Sequence, residues 1–196
     1  MLTLYHSAKS RSTSVKQRVL ELDILDQIKV VEVTIPRQDG TGQRDPANPH
    51  PEGKVPYLTD DEDWVRERAA IILYLTDRFP ASGLGRPVGH PQRGRYLSWL
   101  NWYQGVFEPV LILSWAGLEH PVFNASLRDY DTALARLDEV LSKQPYLLGE
   151  AYSAADLLCV SPFDWFADQL AVTPAVRAWV ERCLDRPAVR QTAERG

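Results

Sequence analysis

Hydroxyl and basic side chains crowd the segment just after the first apolar run. An apolar run, Leu2-Thr3-Leu4-Tyr5, gives way to His6-Ser7-Ala8-Lys9-Ser10-Arg11-Ser12, and a helical pattern starts right behind it. A hydroxyl at a helix start joins a hydrogen-bond donor to the positive end of the macrodipole, so it can hold an anion. A second group follows at Gly53-Lys54-Val55-Pro56-Tyr57-Leu58 and Glu67-Arg68-Ala69-Ala70. An X-Pro bond is where a cis peptide costs least, and Glu67 is an acid where a helix opens. Thiol and metal chemistry find little support. Cys159 and Cys183 lie in helical patterns without a CxxC partner, and the four histidines show no ligand spacing. They read as two reduced, buried thiols and no metal site.

The elements that must carry these groups are legible in order. Leu2–Tyr5 reads as a strand, and Ser12 or Thr13 can cap a helix whose face is Val15, Val19, Leu20 and Leu22. Ile28–Val33 is a β-branched strand, so the opening is a βαβ unit with its two strands parallel. Residues 36–52 form a loop. A strand then leaves the proline turn, the acidic run Asp60–Asp63 turns the chain, Trp64-Val65 makes a very short strand, and Ile71, Ile72, Leu75 and Phe79 mark a helix. That is a thioredoxin-like order, β-α-β-loop-β-β-α.

The Pro/Gly-rich stretch 79–87 ends regular structure, as a domain boundary needs. From Pro91 only helical patterns remain. The first carries Tyr96, Trp99, Leu100, Tyr103, Val106 and Phe107, with Pro109 as a kink or break. The second repeats Leu127, Tyr130, Leu134, Leu137 and Leu141. Ser153-Ala154-Ala155-Asp156 is a capping box before Leu157-Leu158. A last helix starts at Pro174 and ends at Arg186-Pro187, leaving a polar tail from Gln191 expected to fray. The fold class is therefore α/β plus all-α. A thioredoxin-like domain spans 1–79, a linker 80–90 and a helical bundle 91–196.

Bulk properties exclude several functions. The chain of 196 residues has a net charge of −4 and no basic block, which argues against a nucleic-acid partner. No run of about 18 apolar residues exists to span a membrane. No signal peptide precedes Leu2, so a cytoplasmic protein is expected.

Together, Val55-Pro56, Glu67, the Gly149-x-x-Tyr152-Ser153-Ala154-Ala155-Asp156 run and the Trp179…Arg186-Pro187 ending resemble the glutathione S-transferase family over essentially the whole chain. Each motif alone is common, and the ordered combination carries the resemblance. It implies that Val55-Pro56 is cis and presents the valine backbone to the cysteinyl residue of glutathione, with Glu67 at the γ-glutamyl end. Arg68 stands where the family usually has serine, where it can fork onto the γ-glutamyl carboxylate or pair with Glu67 or the acidic turn. His50-Pro51-Glu52 is an insertion relative to the usual shorter run. Lys54 is a candidate for the glycyl carboxylate, with His50, Arg37 and Arg44 behind it.

The resemblance also assigns the serines a task. Glutathione brings its own thiol, and the thiolate is the nucleophile. Lowering a thiol pKa by two requires about 2.7 kcal/mol. A charge-assisted hydroxyl hydrogen bond supplies about 1.5–3 kcal/mol, and a helix N-terminus about 0.3–1 kcal/mol. Ser10 fits that position first and Ser12 second, with Tyr5 or Ser7 behind, and plain helix capping is the preferred reading of Ser12. With no cysteine in this loop, cysteine-type transferases and glutaredoxin-like disulfide exchange are disfavoured. Tyr96, Trp99, Trp102, Tyr103 and Phe107 share one helix and cannot all face one core; Trp99, Tyr103 and Phe107 are the candidates for an apolar electrophile pocket, with aromatic core the preferred reading of any single one.

The resemblance thus implies a homodimeric glutathione transferase acting on a small hydrophobic electrophile, with glutathione as co-substrate and no metal. Its rivals are a glutathione-dependent isomerase, dehalogenase or aryl-ether-cleaving enzyme, and a non-catalytic protein-binding module of the stringent starvation protein A type.

Overall fold

The computed structural model describes residues 1–166 and 170–193. The chain divides into two compact units, one of Met1–Ser82 joined by the segment from Pro187 onward, the other Gly83–Arg186.

The first unit is built on a four-stranded sheet of order β2-β1-β3-β4. Its strands are β1 (Leu2–His6), β2 (Lys29–Glu32), β3 (Tyr57–Asp60) and β4 (Asp63–Arg66). β1 runs parallel to β2 and antiparallel to β3, and β3 and β4 form the expected hairpin. Helices α1 (Thr13–Glu21) and α2 (Arg68–Arg78) follow β1 and β4. Leu4, Val15, Val19, Leu58, Ile71, Ile72 and Leu75 are fully buried and make the core. Arg18 is buried with them on α1, at 0% exposure. Its three guanidinium nitrogens have no hydrogen-bond partner among the described residues.

The chain end differs from expectation. Pro187 does not stop helical structure; it opens a further helix, α9 (Pro187–Ala193). A proline at a first turn loses no hydrogen bond, since that N–H would be unpaired anyway. α9 packs on α1, and Gln17 Nε2 donates to Thr192 Oγ1 at 2.9 Å. Residues 191–193 are therefore helical, whereas fraying was expected there; 194–196 lie outside the described residues.

The second unit is helical: α3 (Arg93–Trp102), α4 (Glu108–Trp115), α5 (Pro121–Ser126), α6 (Tyr130–Leu141), α7 (Ala154–Trp165) and α8 (Pro174–Leu184). The break expected at Pro109 is a widened π turn over Tyr103–Phe107, in which the Glu108 N–H reaches back to the Tyr103 carbonyl. Proline cannot donate and crowds the carbonyl four residues earlier, and the wider turn lets the path continue. Leu127 falls outside α6, in extended backbone at the end of α5, a helix the periodicity did not reveal. The capping box is present. Asp156 accepts from Ser153 N–H at 2.9 Å, Ser153 Oγ at 2.7 Å, Leu147 N–H at 2.8 Å and Trp179 Nε1 at 3.0 Å. Cys159 and Cys183 are both buried thiols and are not joined in a disulfide, as expected.

Candidate active site

Strand register brings the predicted residues to one end of the sheet. Tyr5 pairs with Tyr57 across β1/β3, and Tyr57 pairs with Arg66 across β3/β4. The loop leaving β1, the Val55-Pro56 turn entering β3 and the Glu67-Arg68 corner leaving β4 therefore share one edge. Two inter-strand spacings span about 10 Å, and three extended residues also span about 10 Å. The edge is as wide as a tripeptide is long.

Each corner has its own device. The Val55-Pro56 peptide is cis. Lys54 beside it is exposed, and its carbonyl accepts from Asn48 Nδ2 at 3.1 Å. The inserted His50-Pro51-Glu52 segment forms a closed turn. Gly53 N–H donates to the His50 carbonyl at 2.9 Å and Glu52 N–H to His50 Nδ1 at 3.0 Å. His50 is buried against Tyr57, ring centroids 5.2 Å apart, and burial lowers its pKa. It braces the proline turn from inside, so the ligand role considered for it does not hold. Gly53 sits at φ +64, where a Cβ would meet the Arg44 side chain at 3.0 Å.

At the third corner Glu67 is exposed, stands at the N-terminal cap position of α2 without a side-chain cap hydrogen bond, and has φ 71° and ψ 127°. A non-glycine residue held at positive φ costs about 1–3 kcal/mol and persists where its surroundings over-determine it. Arg68 is 5% exposed, so its side chain is held within the unit instead of extending into solvent.

The serine corner is the most ordered. Ser10 is half-buried; its Oγ donates to the Ser7 carbonyl at 2.7 Å and lies 2.7 Å from Ser12 Oγ. Ser12 occupies the cap position of α1, but its side chain caps nothing. At 0% exposure it instead lies 2.7 Å from His6 Nδ1 and accepts from Ser7 N–H at 3.1 Å. That corrects both readings of Ser12, since it is no helix cap and its oxygen is enclosed, out of direct reach of a ligand. Arg37, from the loop after β2, clamps the same segment. Its Nη1 donates to the Lys9 carbonyl at 3.1 Å, and its Nη2 to the Ala8 carbonyl at 2.9 Å and Ser7 Oγ at 3.4 Å. Arg37, a candidate for a ligand carboxylate on sequence grounds, is instead committed to this loop, and His6 joins the site unannounced, because neither role is written in spacing along the chain.

The predicted electrophile pocket is not where expected. Trp99, Tyr103 and Phe107 are 7%, 2% and 0% exposed and belong to the core of the second unit. Phe107 stacks on Phe163 at 5.7 Å, and Phe163 meets Trp179 edge-on at 5.9 Å. The half-exposed aromatic of α3 is Trp102, in a groove of about 490 Å³ with Arg128, Thr132, Ala135, Arg136 and Glu139. Among the described residues no cluster of histidine, cysteine, aspartate or glutamate could hold a metal, and no helix is long and apolar enough to cross a membrane.

A four-stranded mixed sheet with a cis-proline turn, followed by a helical unit, defines a thioredoxin-like domain with an all-α partner. Comparison with known proteins gives the family. Residues 4–84 match the N-terminal domain of glutathione S-transferases and 112–187 their C-terminal domain. The disulfide-bond oxidoreductase YfcG of Escherichia coli is 32% identical over 162 residues, covering 72% of each chain. GstB, a glutathione S-transferase of the same organism, is 25% identical over 97% of both. Among solved structures, a sphingomonad glutathione S-transferase complexed with glutathione has TM-score 0.77 and 27% identity, covering 98% of each chain. The bacterial transferase BphK, in a ternary complex, has TM-score 0.79 and 24% identity over 98% of both and shares the fold. The chain belongs to the glutathione S-transferase family of enzymes.

Proposed function

We propose that this enzyme binds glutathione along the shared edge of β1, β3 and β4 and conjugates the intact glutathione thiolate to a small hydrophobic electrophile. The observation that carries the reading is the register Tyr5–Tyr57–Arg66, which gathers the serine loop, the cis-proline turn and Glu67 on an edge of tripeptide length. The Val55 backbone meets the cysteinyl residue, Glu67 the γ-glutamyl end, and Lys54 the glycyl carboxylate; the buried Arg68 side chain packs beneath that end without forking onto it. Ser10 donates to the sulfur. The thiol proton leaves to solvent, the thiolate attacks carbon, and a carbon–sulfur bond replaces the bond to the leaving group. The protein is proposed to act as a cytoplasmic homodimer in detoxification.

Two observations favour other outcomes. YfcG is named a disulfide-bond oxidoreductase and two relatives near 26% and 25% identity are dichloromethane dehalogenases, so the same thiolate could meet sulfur or a halogenated carbon. Arg68, buried where the family usually has serine, favours a protein-binding module. Steady-state assays with glutathione and a panel of aryl halides, aryl ethers, haloalkanes and disulfides separate them. Conjugation is expected, and Ser10→Ala should lower kcat/KM by about 10- to 150-fold, the worth of one hydrogen bond to a charged atom. Full activity in Ser10→Ala would refute the assignment, and no binding at millimolar glutathione would favour the protein-binding module.

A further inference from the structure

His6, the last residue of β1, is 2% exposed and opens an unbroken line of hydrogen bonds. Its Nδ1 is 2.7 Å from Ser12 Oγ, which is 2.7 Å from Ser10 Oγ. Ser10 Oγ also accepts from the Ser12 N–H at 3.1 Å, and Ser12 Oγ lies 3.1 Å from the Ser7 carbonyl. The line runs from the buried end of a strand to the half-exposed hydroxyl of the loop. We infer that His6, acting through Ser12, is a positioning residue that sets the direction in which Ser10 donates, aiming its proton at the sulfur of glutathione. This rests on the proposed function, in which Ser10 meets that sulfur.

A hydroxyl has one proton, so the direction of a line of hydroxyls is decided at its end. With hydrogen on Nδ1, His6 donates to Ser12 and Ser12 donates to Ser10. Both lone pairs of Ser10 Oγ are then occupied, by the Ser12 hydroxyl and the Ser12 N–H, and only its proton is left to offer. The Ser7 carbonyl at 2.7 Å is the resting acceptor. Rotation about the Cβ–Oγ bond retargets the proton without moving the oxygen. Each donation also polarises the next. With Nδ1 bare, the Ser12 proton turns to His6, the Ser10 proton is drawn inward, and a lone pair faces the anion.

The opposite role, His6 as the base that receives the thiol proton, is disfavoured. Burial and the nearby Lys16 hold the imidazole down at about 4, too weak a base for a thiol whose ordinary pKa is about 8.5. The charged groups around this loop are Lys16 of α1, Glu32 opposite His6 on β2, and Arg37 on the Ser7–Lys9 segment. None of them supplies a carboxylate within the line.

The test is the pKa of the bound glutathione thiol, read from ultraviolet thiolate absorbance against pH, beside kcat and KM, in the full chain. His6→Leu should raise that pKa by about one and lower kcat/KM near neutral pH about tenfold, with KM for glutathione changed less than about twofold. His6→Asn, whose side-chain N–H replaces Nδ1–H, should recover most of the loss. Ser12→Ala removes the middle link and should repeat the His6→Leu result, which keeps the test decisive if His6→Leu does not fold. A wild-type thiol pKa in both His6→Leu and Ser12→Ala, or His6→Asn as impaired as His6→Leu, would overturn the inference alone. A wild-type enzyme without any thiolate signal would overturn the proposed function and the inference with it.

Discussion

Tyr5 and Tyr57 stand opposite each other across antiparallel strands, with ring centroids 6.2 Å apart. That pairing brings the end of β1 beside the start of β3, and so a loop of hydroxyls beside a cis-proline turn. A register slip of one residue would turn every β3 side chain to the other face. It would bury Thr59 where Leu58 belongs, so the core that fixes the sheet also fixes the site.

Glu67 trades backbone ease for position. At φ 71° a glycine would sit without strain. Glu67→Gly should therefore raise stability by about 1 kcal/mol while raising KM for glutathione severalfold, because the carboxylate is lost. Denaturant melts beside glutathione kinetics check this. An unchanged KM would show that the acid serves only the helix start.

His6 makes stability depend on pH. Its pKa is about 4 in the folded protein against an ordinary 6.5. Between those values the unfolded chain binds a proton that the native state does not, so stability rises with pH across the window. Falling from pH 6.5 to pH 4 should cost up to about 3 kcal/mol. Urea titrations at both ends, on wild type and His6→Asn, check it; the variant should show a correspondingly smaller slope.

Arg18 is a buried cation whose guanidinium has no hydrogen-bond partner among the described residues. Among the described residues nothing offsets the desolvation of that charge, and an apolar side chain of similar length would carry no such cost. Arg18→Met should raise stability by about 1–3 kcal/mol, read as a higher urea midpoint with an unchanged m-value. A lower midpoint would mean that the guanidinium supports the α1 face.

How much was legible follows from what each signal measures. Periodicity found β1, the βαβ start, α2 and α8, because one face of each is apolar. The Ser153–Asp156 box was legible because capping is local in sequence. α9 was missed because Arg186-Pro187 reads as a stop, though proline equally opens a helix. For Trp99, Tyr103 and Phe107 the sequence leaves pocket and core both open, with core preferred for each, because aromatic content says nothing of facing; their burial decides for the core. The serine loop, proline turn and Glu67 were named from sequence, but the line to His6 was not. A hydrogen bond between residues six apart in a loop follows from folded geometry and leaves no periodic mark.

In the proposed complex glutathione lies along the Tyr5–Tyr57–Arg66 edge with its sulfur at Ser10. A crystal structure of the protein soaked in glutathione tests it most directly. The cysteinyl backbone should lie against Val55, the γ-glutamyl end at Glu67, and the sulfur within hydrogen-bonding distance of Ser10 Oγ. A sulfur held by Tyr5 or Ser7 instead, or an edge left empty at saturating glutathione, would contradict it.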